Sequence, residues 1–429
     1  MNFEMLHPAD QIVMIMNRIY YYAMTTTSGG NLSIIDSDGV VWISPSGVDK
    51  GSLTREDIMK ILPDGTIEGR HKPSSEYPFH LSVYKNRPDI KAVLHAHPPA
   101  LTAYSIVRKI PDLTLIPNAK LVLGDVSIAP YAVPGSTKLG ENIGAKFKEG
   151  FNTVMLENHG VCIGAESLFK AFFMFETFDY LARLQVAAQR IGTPKGLSLR
   201  HLEIYKNRTH PNLESFEPNG YSSRELDIRR AICKLIKRGY DNRLFTSSQG
   251  TFSRRVDGNN FVITPHGMDR EYLEPQDLVR IENGKAEKGK LPSRGVPLHK
   301  AIYEQHPEIN AIIMAHPPTI MAFGVTEQEF DARLIPESYI MLRTVHKYPF
   351  GSTFMQPEKM AQEISTSNPV AIIENDGVLI TGNSLLNAFD RLEVMEYSAR
   401  SVVDTTNIGN IVKISDSEVD EIEVVFNLK

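Results

Sequence analysis

Cysteine is nearly absent: the 429-residue chain has two, Cys162 and Cys233, in separate halves and inside apolar patterns. That gives no disulfide framework, and buried thiols in a reducing compartment are the expected reading. A basic excess is missing too. The 46 Lys and Arg face 51 Asp and Glu, for a net charge of −5 and a pI near 6.2. No electrostatic footprint for nucleic acid or an anionic membrane is therefore expected. No apolar run approaches the roughly 20 residues a membrane helix needs. The opening MNFEMLHPAD carries acids early and lacks a basic n-region before an apolar core, so no signal peptide is expected and the cytoplasm is the default. What is there is a globular composition, 42% apolar and 23% charged. A chain this long exceeds one ordinary core, which predicts two domains.

The two domains are copies. SGGNLS (28–33) answers to SQGTFS (248–253), and ISPSGVD (43–49) to ITPHGMD (263–269). KPSSEYPFH (72–80) answers to LPSRGVPLH (291–299), HAHPP (95–99) to MAHPP (314–318), and LENHGVCIGAESL (156–168) to IENDGVLITGNSL (373–385). The order is kept and the offset is nearly constant. A period this long marks whole domains, because solenoid repeats run only about 20–50 residues. The junction is expected in the polar, Pro- and Gly-broken stretch 192–222, with a catalytic domain over 1–210 and a degenerate, non-catalytic one over 220–429.

Each half opens with a helix. Pro8 suits a first-turn position ahead of Ile12, Ile15, Met16 and Ile19. In the second half Ser222 and Glu225 have capping-box spacing ahead of Leu226, Ile232, Leu235 and Ile236. Short β-type segments with turn signals follow, and each half closes on a long amphipathic helix, 167–190 and 384–402. Strand-rich middles flanked by helices predict a layered α/β or α+β domain.

His95 and His97 sit one residue apart in a strand-like segment, so both imidazoles can reach one ion. His159, in ENHGV, is a third candidate. Three imidazoles with an open fourth position make a catalytic zinc-type site, and nitrogen donors also suit other transition metals. A His-x-His pair alone could equally be a hydrogen-bonded pair in a strand. The repeat separates the two readings: the second copy keeps His316 but has Met314 and Asp376 where His95 and His159 stand. The fold does not need those histidines, so chemistry does.

Glu76 follows the same pattern, with Gly295 in its place in the second copy. A carboxylate beside a bound metal can act as general acid/base. The turns GGN (29–31), SPSG (44–47) and SS (74–75) offer N–H groups and hydroxyls to an anion. His80 is retained as His299 and is read as structural, while His71, His201, His210, His306 and His346 are expected to face solvent.

The ordered set Gly-Asn, Ser-x-Ser-Gly, Pro-Ser-Ser-Glu, His-x-His-Pro, Ala-Pro-Tyr and His-Gly covers nearly all of 1–190. It resembles the class II aldolase/adducin family, typified by L-fuculose-phosphate aldolase. The resemblance implies α/β architecture: two tandem three-layer α/β/α domains, each with a mainly antiparallel central sheet. It implies one Zn2+, or another divalent transition metal, per chain on His95, His97 and His159, with Glu76 as catalytic acid/base. A substrate phosphate is then held by Gly30, Asn31, Ser46, Gly47, Ser74 and Ser75.

The implied reaction cleaves a small ketose phosphate to dihydroxyacetone phosphate and an aldehyde through a metal-stabilised enediolate. Alternatives on the same metal site are a sugar-acid phosphate decarboxylase and a ketose-phosphate dehydratase or epimerase. A third reading, of another class, is a non-catalytic adducin-like scaffold. Implied partners are a sugar phosphate and a second copy of the chain, as a dimer forming a pseudo-tetramer of domains, without nucleic acid or membrane. Two departures stand out. The family aldolase has a tyrosine before Ala-Pro-Tyr, where LIPNAKLVLGDV (115–126) has none. A second, C-terminal tyrosine has no sure counterpart, although Tyr205 and Tyr221 lie in a suitable region.

The repeat comparison generates a direct count. Elemental analysis of the purified protein is expected to find about one transition-metal ion per chain; two would overturn the degenerate-copy reading.

Overall fold

Pro8 stands in the first turn of the helix Pro8–Tyr21, the His7 imidazole accepts from the Ala9 N–H, and the apolar stripe Ile12, Ile15, Met16 and Ile19 is buried. The structure, a computed structural model, describes residues 3–428. They group into two compact units, residues up to 113 with 118–183, and 114–117 with 184 onward. Among the described residues no helix is long and apolar enough to cross a membrane.

The first unit is built on eight strands: β1 (Asn31–Ile35), β2 (Val41–Ile43), β3 (Met59–Ile61), β4 (Ile67–Glu68), β5 (Ala92–Ala96), β6 (Val126–Ala129), β7 (Thr153–Leu156) and β8 (Gly160–Ala165). Their order across the sheet is β4-β3-β2-β1-β5-β8-β7-β6. Every pairing is antiparallel except β6 with β7. One sheet face packs Val41, Ile43, Val93 and Val154 against Phe79 and Val83 of the helix Tyr77–Asn86 and Ile143 and Phe147 of the helix Thr137–Lys148. The alternate residues Leu32, Leu94 and Ile163 are fully buried as well, so both faces are covered. The helices Pro8–Tyr21 and Pro99–Ile106 contact β1, β2 and β8. This is the three-layer arrangement, and near-continuous burial of β5 and β8 is its signature.

The second unit repeats it. Its strands are β9 (Ser215–Phe216), β10 (Thr251–Asp257), β11 (Asn260–Ile263), β12 (Val279–Glu282), β13 (Lys285–Glu287), β14 (Ala311–Ala315), β15 (His346–Tyr348), β16 (Val370–Ile373) and β17 (Gly377–Gly382). The sheet order is β15-β16-β17-β14-β10-β11-β12-β13-β9. Strand for strand this is the first sheet with β9 added at one edge, parallel to β13. The parallel pair recurs as β15 with β16, and the long closing helices are Leu168–Ile191 and Leu385–Asp404.

Only half of the expected capping box at 222–225 forms. The Ser222 hydroxyl accepts from the Glu225 N–H at 3.2 Å. The Glu225 carboxylate is instead buried between Arg229, at 2.7 Å, and Arg280, at 3.0 Å. Two guanidiniums outcompete a single backbone donor for a buried carboxylate.

Candidate metal centre

β5 delivers two imidazoles to one point. His95 lies in β5 and His97 one residue beyond its end. His95 is fully buried, and its Nδ1 donates to the Val161 carbonyl of β8 at 2.9 Å. That bond fixes the tautomer and leaves the Nε2 lone pair facing the cluster. His97 Nε2 lies 2.9 Å from it. His159 arrives from the tight turn joining β7 to β8, where Asn158 takes a left-handed φ of 55°, a conformation asparagine tolerates. The ring centroids are 4.6, 4.8 and 4.9 Å apart, and one nitrogen from each ring lies within 4.8 Å of the others. Gly160 permits this approach: a Cβ there would meet the Ala96 carbonyl at 2.6 Å and the His97 ring at 2.7 Å. Among the described residues no other three His, Cys, Asp or Glu side chains converge in this way.

Glu76 stands beneath the cluster at the head of the helix Tyr77–Asn86. Its Oε2 is 3.4 Å from His95 Nε2 and its Oε1 is 3.6 Å from His159 Nε2. A directed chain of hydrogen bonds ends on it. The Tyr84 hydroxyl donates to Ser33 Oγ at 2.6 Å, and Ser33 Oγ donates to His80 Nδ1 at 2.6 Å. His80 Nε2 then donates to Asn31 Oδ1 at 2.6 Å, and Asn31 Nδ2 donates to Glu76 Oε2 at 2.9 Å. These directions are the one assignment that satisfies all four bonds, because Asn31 Nδ2 must donate to the carboxylate. Oε1 is left without a hydrogen-bond partner.

Burial pushes the Glu76 carboxyl up, but the charge and hydrogen bond of His95, with Asn31 and His159, hold it well below the usual carboxylate range. Burial lowers His97 to about 3, with His95 and His159 adding to the effect. Burial and His95 lower His159 to about 4. His97 and His159 are therefore neutral at neutral pH, which is the state that binds a cation. The donor set fits a divalent transition ion. Nitrogen lone pairs converge, Nε2 faces Nε2, and Glu76 Oε1 and His159 Nδ1 are buried without partners.

The turns proposed to hold an anion lie side by side. Pro45 and Pro73 form a bridge, Ser46 N–H donates to the Lys72 carbonyl, and Ser74 N–H donates to the Ser44 carbonyl. Ser46, Gly47 and Ser75 are exposed, whereas Ser74 is buried with its hydroxyl accepting from the Glu76 N–H. Gly30 is buried with φ 72°, and the Asn31 side chain is committed to Glu76 and His80.

Sequence reasoning missed Lys50. It is 2% exposed and donates to the Pro45 carbonyl under the SPSG turn; burial lowers it to about 8. The available signal was a cation kept at the same offset, since Arg270 spans the matching turns through the Gly250, Met268 and Pro265 carbonyls. Three histidines expected in solvent are engaged instead. His71 bonds Asp57 at 2.8 Å, His306 bonds the Ala361 carbonyl at 2.8 Å, and His210 packs edge-on to His266. His201 and His346 are exposed.

In the second unit the support survives and the cluster does not. Ser253 bonds His299 at 2.7 Å and Tyr303 at 2.8 Å. Thr251, where Asn31 would be, turns to Ser293 at 2.9 Å, and His299 Nε2 has no partner. Met314 packs against the apolar core, and Asp376 accepts from the Thr353 hydroxyl at 3.1 Å. Tyr205 and Tyr221 are also engaged within this unit, Tyr205 against Phe350 and Phe354, and Tyr221 on Glu287.

Comparison with known proteins matches residues 10–186 and 230–403 to the class II aldolase and adducin N-terminal domain. A 5-deoxy-D-ribulose 1-phosphate aldolase of Bacillus thuringiensis is 34% identical over 200 residues, 45% of this chain and 91% of its own length. A 3-oxo-tetronate 4-phosphate decarboxylase of Pectobacterium atrosepticum is 34% identical over 163 residues, 37% of this chain and 74% of its own. Among solved structures, an L-fuculose 1-phosphate aldolase is 33% identical, covers 46% of this chain and 93% of its own, and has a TM-score of 0.42.

The neutral rings set a pH dependence. His97 and His159, with His80 lowered to about 3 by burial, lie below the ordinary 6.5. As pH falls below about 6.5 the unfolded chain takes up protons that the folded chain refuses, so stability is lost with acidification. The Tm of metal-stripped protein is expected to fall steadily between about pH 6.5 and pH 4. A flat Tm over that range would contradict neutral, buried imidazoles.

Proposed function

Since the chain belongs to the class II aldolase and adducin family, we propose that its first unit is a metal-dependent carbon–carbon lyase. Its substrate would be a small ketose phosphate, cleaved to dihydroxyacetone phosphate and an aldehyde. The observation that carries this reading is the convergence of His95, His97 and His159 over Glu76 Oε1, an unpartnered carboxylate oxygen. The three histidines would hold Zn2+ or a similar ion, which when bound supplies Lewis-acid stabilisation of the enediolate charge that develops as the bond breaks.

Glu76 moves the proton between the substrate carbon and solvent. Its position is set by Asn31, which occupies Oε2 and leaves Oε1 for the substrate side. Ser46, Gly47, Ser74, Ser75 and Gly30, with Asn31, form the proposed phosphate site. Lys50, under the SPSG turn, holds that turn in place. The second unit would be metal-free and non-catalytic. Two chains would associate with first and second units alternating, and an active monomer by mass measurement would refute this association.

A second reading is decarboxylation of a sugar-acid phosphate. The observation favouring it is the absence of tyrosine in 115–126. Aldol cleavage requires a group to take the proton from the hydroxyl that becomes the aldehyde, whereas loss of CO2 requires only protonation of the enediolate left behind. Either route leaves dihydroxyacetone phosphate, so assay with a ketose 1-phosphate and a 3-oxo-tetronate 4-phosphate distinguishes the two by release of an aldehyde or of CO2.

Under either reading Glu76→Gln is expected to keep the ion, by elemental analysis, and to lower turnover by about 100-fold or more. His97→Ala is expected to lose both. Full turnover in Glu76→Gln would remove the proton-transfer role.

A further inference from the structure

The second unit has lost the histidine set but kept a hollow beside its remnant. A cavity of about 370 Å3 is lined by Arg208, Thr209, His210, Arg294, Thr353 and Phe354, among others. Its place in the repeat is informative. Arg294 matches Ser75, the neighbouring Gly295 matches Glu76, and Thr353 donates to Asp376, the residue matching His159. One wall comes from residues 204–211.

The lining is cationic and incompletely paired. The Arg208 guanidinium lies 4.3 Å from the centre of the Phe354 ring. Arg294 lies 5.5 Å from that of Tyr205. Among the described residues neither arginine makes a salt bridge. His210 Nδ1 is buried without a partner. Burial holds Arg208 below its ordinary value; Asp376 and Tyr205 oppose this and the like charge of Arg294 adds to it. The helix Val296–Gln305 also starts at this wall, with Pro297 on the lining, and its dipole adds partial positive charge.

Two partly desolvated guanidiniums of like charge repel each other, and an anion between them relieves that repulsion while accepting several charge-assisted bonds. We propose that this cavity is a second, metal-free binding site for a small phosphate ester, with Arg208 and Arg294 on the phosphate and His210 as a further donor. The site is independent of the lyase reading, because it uses no residue of the first unit. A first unit found inactive would leave it standing.

The test is calorimetric titration of the full chain with inorganic phosphate and with a small sugar phosphate, comparing the natural protein with Arg294→Ser and Arg208→Met. Arg294→Ser restores the residue found in the first unit, so it decides the question if Arg208→Met fails to fold. The expected result is one class of phosphate sites weakened about tenfold or more in each variant, with metal content and turnover measured in phosphate-free buffer unchanged. Weakening seen for inorganic phosphate but not for the sugar phosphate would assign the site to the free ion and overturn the ester. Unchanged affinity for both ligands in Arg294→Ser would overturn the site altogether.

Discussion

A carboxylate buried under three imidazoles is the constraint around which the first unit is arranged. Unsupported, Glu76 would bear the full desolvation penalty of a buried anion. It is supported by a hydrogen-bond chain that begins at Tyr84, on the helix below, and reaches it through Ser33, His80 and Asn31. Placing that chain under the imidazoles needs β1 and β5 in one register, with Asn31 opposite His95 and Ser33 opposite Val93. A slip of one residue between the two strands would put Asn31 and His95 on opposite faces. The sheet, the helix Tyr77–Asn86 and the site therefore form one specification.

The duplicate shows which part of the specification belongs to folding. Ser253, His299 and Tyr303 keep the lower bonds of the chain, and the strand order is the same. Above them the link is cut at Thr251, and no carboxylate waits at Gly295. His299 then has an unpartnered Nε2, a polar loss the second unit tolerates. The serine–histidine–tyrosine foundation thus has value to the fold without any chemistry above it, and the upper links matter only where a charge must be held.

Much of this was legible in the sequence because duplication supplies its own control. His95, His97, His159 and Glu76 stood out by being replaced together, while the turns around them stayed. The period-2 geometry of β5 then made convergence of His95 with His97 a direct expectation. What was illegible depended on partners distant in the chain. Asn31 reads as part of a glycine-rich turn, and only the folded register reveals its bond to Glu76, 45 residues away. Lys50 belongs to no motif of the sequence, yet it is buried under a turn. His210 reads as a solvent-facing residue in a polar connector, but that connector folds against the second unit. In each case local composition predicted polarity correctly and burial wrongly, since burial is decided by what packs on top.

Strand β9 changes how the duplication can be dissected. Ser215 and Phe216 extend the second sheet alongside β13, and residues 204–211 wall the cavity. A fragment beginning at the apparent start of the second repeat, near 222, would expose the β13 edge and open that cavity to water. Unpaired edges of this kind invite intermolecular strand addition. A fragment that keeps the second sheet and its cavity intact therefore has to begin ahead of 204, well before the apparent start of the repeat.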